Sequence, residues 1–170
     1  GIELVHYGYH DTAEGRLWSA YEPAQIEALI GLLRDILQRH GLGPEHVVGH
    51  SDVAPQRKVD PGPLFPWQQL AEAGVAIWPD AAQVQQWSAL LNQCLPPIDW
   101  FQQALAELGY SQAVSGDLDR ATRNVLAAFQ MRFRPRLHGG EPDTETAALL
   151  AALSPQAAGQ LATEQMVLSC

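Results

Sequence analysis

The chain is short of sulfur and of positive charge. Of its 170 residues two are cysteine and two are methionine, and ten lysines and arginines face 19 acidic residues, a net charge of -9. Phosphate binding needs a lysine and arginine footprint, so this balance argues against a nucleic-acid partner. It leaves a neutral or locally docked polysaccharide open. No apolar run approaches the ~20 residues of a membrane-spanning helix, and no secretory leader is visible. The single cysteine pair, Cys94 and Cys170, is no disulfide framework. A bridge between them stays open, but the spacing offers no geometric support for one.

What the chain does contain is enough apolar material for a core: 46% hydrophobic against 17% charged residues. That excludes compositional disorder. The length suits one large domain or two small ones, at roughly 150 residues per domain.

Gly1-Ile2-Glu3-Leu4-Val5 reads as a strand entered in mid-course, with Ile2, Leu4 and Tyr7 as its buried side. The expectation is that the sequence upstream of it is missing, and that an exposed sheet edge is left there. Residues 6–20 are polar and glycine-containing, a loop. Pro23 then opens a helix on which Ile26, Leu29, Ile30, Leu33, Ile36 and Leu37 share one face. Gly41 and Pro44 end it. Residues 51–66 hold four prolines, a stiff loop cheap to keep in one shape. A short helix follows from Trp67 to about Ala73, and another from Asp80 to Leu91.

Leu95-Pro96-Pro97 breaks the pattern. Beyond it three amphipathic helices are expected, at Ile98–Leu108, Leu118–Phe133 and Thr144–Leu153, the last two with acidic capping residues near their starts. Gly116-Asp117-Leu118-Asp119 and Gly140-Glu141-Pro142-Asp143 hint at an internal repeat. The division expected is residues 1–92, a linker at 93–97, and a helical domain with a tail at 98–170.

The chemistry concentrates in Gly49-His50-Ser51-Asp52-Val53-Ala54-Pro55-Gln56-Arg57-Lys58-Val59-Asp60-Pro61-Gly62-Pro63. An imidazole and a carboxylate are good zinc ligands, and a lysine can hold an oxyanion. On chemistry alone, a histidine before a loop is more often structural, and Asp52 reads as a turn or cap residue. As a whole, this stretch resembles the signature of the type-2 family of zinc-dependent N-acetylmuramoyl-L-alanine amidases. The resemblance runs on through Leu64-Phe65-Pro66-Trp67 and Trp78-Pro79-Asp80.

That resemblance implies the C-terminal portion of an α/β, mixed-sheet, peptidoglycan-recognition-like amidase domain. It implies His50 and Asp60 as zinc ligands, and Glu3 and Lys58 as catalytic residues. The family's remaining ligand is a histidine on an earlier strand, so it would lie before Gly1. His6 and His10 are the remote alternatives. The activity implied is hydrolysis of the amide between N-acetylmuramic acid and L-alanine, in the bacterial periplasm, with outer-membrane anchoring left open.

The second half resembles a three-helix peptidoglycan-binding domain. The match lies in Leu105, Leu108-Gly109-Tyr110, Gly116, Leu118-Asp119, Thr122, Val125, Phe129-Gln130, Gly140, Asp143 and Thr146. Peptidoglycan and muropeptides are the partners implied, and the missing N-terminal segment is a further possible associate. Gln130, Arg132, Arg134 and the loop near His138 stand as wall contacts or as solvated surface. Two alternatives to the hydrolase remain at this stage: a non-catalytic wall-binding fragment and a recognition receptor. Taken alone, the chain is expected to bind zinc weakly and to hydrolyse nothing measurable.

Overall fold

A computed structural model describes residues 1–91 and 94–163. The remainder of the second half's tail, Cys170 included, lies outside them, and with it the question of a Cys94–Cys170 bridge. Two strands, β1 (Tyr9–Thr12) and β2 (Gly15–Trp18), form an antiparallel hairpin with Tyr9 opposite Trp18 and His10 opposite Leu17. Among the described residues eight α-helices follow: α1 (Pro23–His40), α2 (His50–Val53), α3 (Trp67–Glu72), α4 (Ala81–Leu91), α5 (Ile98–Glu107), α6 (Arg120–Phe133), α7 (Thr144–Leu153) and α8 (Pro155–Thr163).

Helices α1 and α3 to α7 fall where the apolar periodicity places them. Gly41 closes α1 in the left-handed conformation, φ 62°, as the glycine stop predicts. The strand expected at the start of the chain does not form. Val5 and Tyr7 are almost fully exposed, and the hairpin lies in the stretch read as a loop. A strand is stable only where a neighbour takes its backbone N–H and C=O groups. Among the described residues the strands present pair with each other. Residues 1–8 are instead tied down by side chains: Gln25 Nε2 donates to Val5 O at 3.0 Å, and Leu4 packs on the α1 core.

Two apolar clusters form. One gathers Ile26, Leu29, Ile30, Leu33 and Leu37 of α1 with Phe65, Trp67, Leu70 and Val75. The other is helical and centres on Phe101, Leu105, Leu126, Phe129 and Leu150, all wholly buried. Helix α4, which the sequence groups with the first half, contributes Leu91 to this second cluster and lies along α7. Trp18 and Val59 from the first half also pack against it, and Trp78 touches both.

The internal repeat is real and has a physical basis. In each copy a buried glutamine on one helix satisfies the loop leading into the next. Gln102 accepts from the N–H groups of Ser115 and Gly116 and donates to Asp117 O and Thr122 Oγ1. Gln130 accepts from Gly140 N and donates to Glu141 O and Thr146 Oγ1. Both amides are fully buried, where an unpaired polar group would cost about 1–3 kcal/mol. Asp119 and Asp143 then cap the helices by accepting from Thr122 N at 2.7 Å and Thr146 N at 2.8 Å.

Burial pushes the Asp143 carboxyl upward, but hydrogen bonds from Arg134 and Thr146 and the Arg134 charge outweigh it. The group is held below its ordinary value of 3.8. A depressed folded-state pKa contributes stability that is complete above the unfolded value and is lost as pH falls through the folded one. Acid unfolding of the protein should therefore steepen below about pH 4. Asp143→Asn should make that limb shallower in denaturant titrations across pH 2–6. Parallel limbs in the two proteins would contradict this role.

Candidate functional site

The motif loop closes on itself. Ser51 N donates to Asp60 O at 2.8 Å, which sets the beginning and end of the motif side by side. His50 is the first residue of α2, a four-residue helix inside the segment read as a loop. Two glycines allow the close approach. A Cβ on Gly49 would lie 2.6 Å from Pro61 Cδ, and one on Gly62, at φ +83°, would lie 2.3 Å from the Trp18 ring. Tyr21 Oη donates to Pro61 O at 3.0 Å. Burial, followed by the charge of Asp60, pushes the Tyr21 hydroxyl up to about 12, so it remains a neutral donor.

This frame brings all four residues of the sequence expectation together. His50 Nδ1 contacts Asp60 Oδ2. His50 Nε2 lies 3.5 Å from Glu3 Oε1, and Lys58 Nζ lies 4.0 Å from Asp60 Oδ1. Glu3 reaches the cluster from irregular backbone rather than from a strand. The cluster faces solvent, with His50 and Lys58 near half-exposed and Glu3 more so.

The nitrogen of His50 and the oxygen of Asp60 contact each other directly, and both are donor types that zinc accepts. Among the described residues no group of three or more histidine, cysteine, aspartate or glutamate side chains is arranged to hold a metal ion. His6 has other work. Its Nδ1 accepts from Gly8 N at 3.0 Å, its Nε2 meets Ala20 O at 3.1 Å, and its ring stacks on Tyr21 at 3.8 Å. His10 sits on the exposed hairpin.

The residue that sequence reasoning undervalued is Asp52. It is buried, and it accepts from Gly49 N at 2.8 Å, Tyr110 Oη at 2.7 Å and Arg132 Nη1 at 2.7 Å. The first contact is the local cap expected of it. The other two come from the helical half. Arg132 also donates to Val47 O at 3.1 Å and lies 4.1 Å over the Trp67 ring. Burial first, and the Asp52 charge second, raise the Tyr110 hydroxyl well above its ordinary value, so Tyr110 stays a donor. Nearby, Gln56 donates to Ala121 O and accepts from Asn124 on α6.

Gln130, Arg132 and Arg134 are buried and internally bonded. They are neither wall contacts nor solvated surface. Only their burial separates them from surface residues, and the one hint in the sequence is the place of Gln130 and Arg132 among apolar neighbours on α6, with Arg134 just past its end.

Residues 1–63 match the family described as N-acetylmuramoyl-L-alanine amidase, and residues 95–150 match the peptidoglycan binding domain family. The chain is similar to N-acetylmuramoyl-L-alanine amidase AmiD of Escherichia coli K12, 48% identical over 156 residues, which is 90% of this chain and 55% of AmiD. It also resembles 1,6-anhydro-N-acetylmuramyl-L-alanine amidase AmpD of Enterobacter cloacae, 39% identical over 41% of this chain and 33% of AmpD.

Among solved structures it resembles E. coli AmiD in complex with the substrate anhydro-N-acetylmuramic acid-L-Ala-D-gamma-Glu-L-Lys. The TM-score is 0.81 at 44% identity, over 89% of this chain and 59% of that one. AmpDh3 of Pseudomonas aeruginosa in complex with anhydromuramic pentapeptide gives 0.77 at 40% identity, over 87% and 58%. The chain thus spans little more than half the length of AmiD and AmpDh3.

Tyr110→Phe removes one donor from a buried carboxylate and nothing else. A hydrogen bond to a charged group contributes about 1.5–3 kcal/mol, and the variant should lose that much in equilibrium unfolding. A loss under about 0.5 kcal/mol, the range of ordinary surface substitutions, would show that Tyr110 does not support Asp52.

Proposed function

We propose that this chain is part of a zinc-dependent N-acetylmuramoyl-L-alanine amidase that acts on peptidoglycan or muropeptides in cell-wall turnover. The observation that carries the reading is the convergence of His50, Asp60, Glu3 and Lys58 on one open cluster. The amidase family match over the same residues supports it, as does the likeness to a relative solved with a muramyl-peptide substrate.

In this reading His50 Nδ1 and Asp60 Oδ2 hold the metal. A catalytic zinc site takes three protein ligands and keeps one position open. The described residues offer two, and in this reading a histidine elsewhere in the protein supplies the third. Zinc, when bound, supplies Lewis-acid polarisation and an acidic water. The Glu3 carboxylate takes the proton of the attacking water and returns it to the leaving amine of L-alanine. The Lys58 ammonium, free of any ligand role when charged, holds the negative charge that develops on the carbonyl oxygen. The helical half holds the wall polymer near the site. The same reading has the protein work in the bacterial periplasm, with outer-membrane anchoring left open.

The two ligands also favour a second reading, a wall-binding fragment without catalysis. Lys58→Ala in the full-length protein separates the two. If the amidase reading is right, zinc content stays at wild-type level while turnover of a muramyl-peptide drops roughly 10²-fold or more. Unchanged turnover removes Lys58 from the reaction, and absence of hydrolysis in the zinc-loaded wild type favours the binding fragment.

A further inference from the structure

Lys58 leaves the motif loop on a short turn. Ala54 O accepts from both Arg57 N at 3.0 Å and Lys58 N at 2.9 Å. The turn is anchored on both sides of the lysine. Pro55 is buried, and Val59 packs against the helical core. At the tip, Gln56 Nε2 donates to Ala121 O at 3.0 Å, and Gln56 Oε1 accepts from Asn124 Nδ2 at 2.9 Å. A carbonyl oxygen only accepts, so the first bond fixes which way the Gln56 amide faces, and Asn124 has to be the donor of the second. Two bonds of opposite sense from one amide hold the turn in place and in rotation near the start of α6.

The lysine itself has no such anchor. Its ammonium is near half-exposed, and its 4.0 Å separation from Asp60 Oδ1 is the longest contact in the cluster. A lysine is a point charge on a flexible four-carbon stem. If the backbone beneath it also moves, the charge spreads over many positions. Electrostatic stabilisation needs the donor where charge develops, and a misplacement of about 1 Å can cost up to about 10²-fold. What holds the turn therefore decides how well the ammonium works.

We propose that Gln56 and Asn124 are positioning residues for Lys58, so that the helical half sets where the ammonium meets the developing oxyanion. The inference rests on the amidase reading, in which Lys58 holds that charge. It is separate from the contact of Asp52 with Arg132, which bears on His50 at the other end of the motif. Gln56 is exposed and Asn124 half-buried, so either can be truncated at little cost to the fold.

Steady-state hydrolysis of a muramyl-peptide by the full-length, zinc-loaded protein tests this. Gln56→Ala and Asn124→Ala should each lower kcat roughly three- to tenfold, less than Lys58→Ala does, with KM and zinc content within about twofold of wild type. Thermal midpoints should stay within about 2–4 °C. In a Lys58→Ala background, Asn124→Ala should change the residual kcat by less than about 1.5-fold, because the group it positions is gone. Arg123→Gln, on the same helix but paired with Glu141, should leave kcat unchanged. Wild-type kcat in both alanine variants, a rise in KM alone, a larger thermal loss that accounts for the fall in kcat, or a loss that persists in full without Lys58 would each overturn the proposal. An inactive wild type, or unchanged turnover in Lys58→Ala, would overturn the amidase reading and this inference with it. A Lys58-dependent enzyme indifferent to Gln56 and Asn124 rejects the inference alone.

Discussion

A carboxylate taken out of water has to be surrounded by donors or it will not stay ionised. Asp52 meets that demand with three of them, and two, Tyr110 and Arg132, belong to the helical half. The arginine in turn is sandwiched against Trp67 and bonded to Val47 O. One small polar cluster thereby joins the motif loop, the approach to it at Val47, helix α3 and helix α6. His50 stands two residues before Asp52 on the same short helix. The direction in which the site histidine points is therefore set partly by a domain that carries no residue of the cluster around it.

That arrangement changes what the helical half is for. A wall-binding module on a free linker would leave the site geometry untouched. Here α4 packs on α7, Val59 and Trp18 pack on the helical core, and Gln56 is held by α6. Removing the helices would expose those apolar surfaces and leave Asp52 with a charge and a single backbone donor. A buried ion pair adds little net stability compared with an apolar pair of the same shape, but removing one member is costly. The pair thus fixes the geometry at the junction more than it strengthens the fold.

Much of the molecule was legible in the sequence. Apolar spacing and glycine stops placed α1, α3, α4 and α5–α7 to within a few residues, because each helix buries one face and ends at a residue that tolerates a turn. The motif named His50, Asp60, Lys58 and Glu3, and the structure brings them to one place. Three things were not legible. The strand at Ile2–Tyr7 has the right alternation, but a strand needs a partner that local sequence does not reveal. The hairpin at Tyr9–Trp18 is almost entirely exposed, so no apolar alternation marks it. Asp52, Arg132, Gln102 and Gln130 look like surface residues because polarity is visible in a sequence while burial is not. The repeated glycine, aspartate and threonine spacing ahead of α6 and α7 was the only trace of the glutamine device.

The central claim is that Asp52 and Arg132 act as one unit across the two halves. A double-mutant cycle measured by equilibrium denaturant unfolding tests it most directly. Asp52→Asn and Arg132→Met should each lose about 3–5 kcal/mol, since each strands the partner's charge. The double variant should lose little more than either single change, giving a coupling of about 3 kcal/mol. Losses that simply add, with a coupling below about 0.5 kcal/mol, would show that the two residues are neighbours without being a joint.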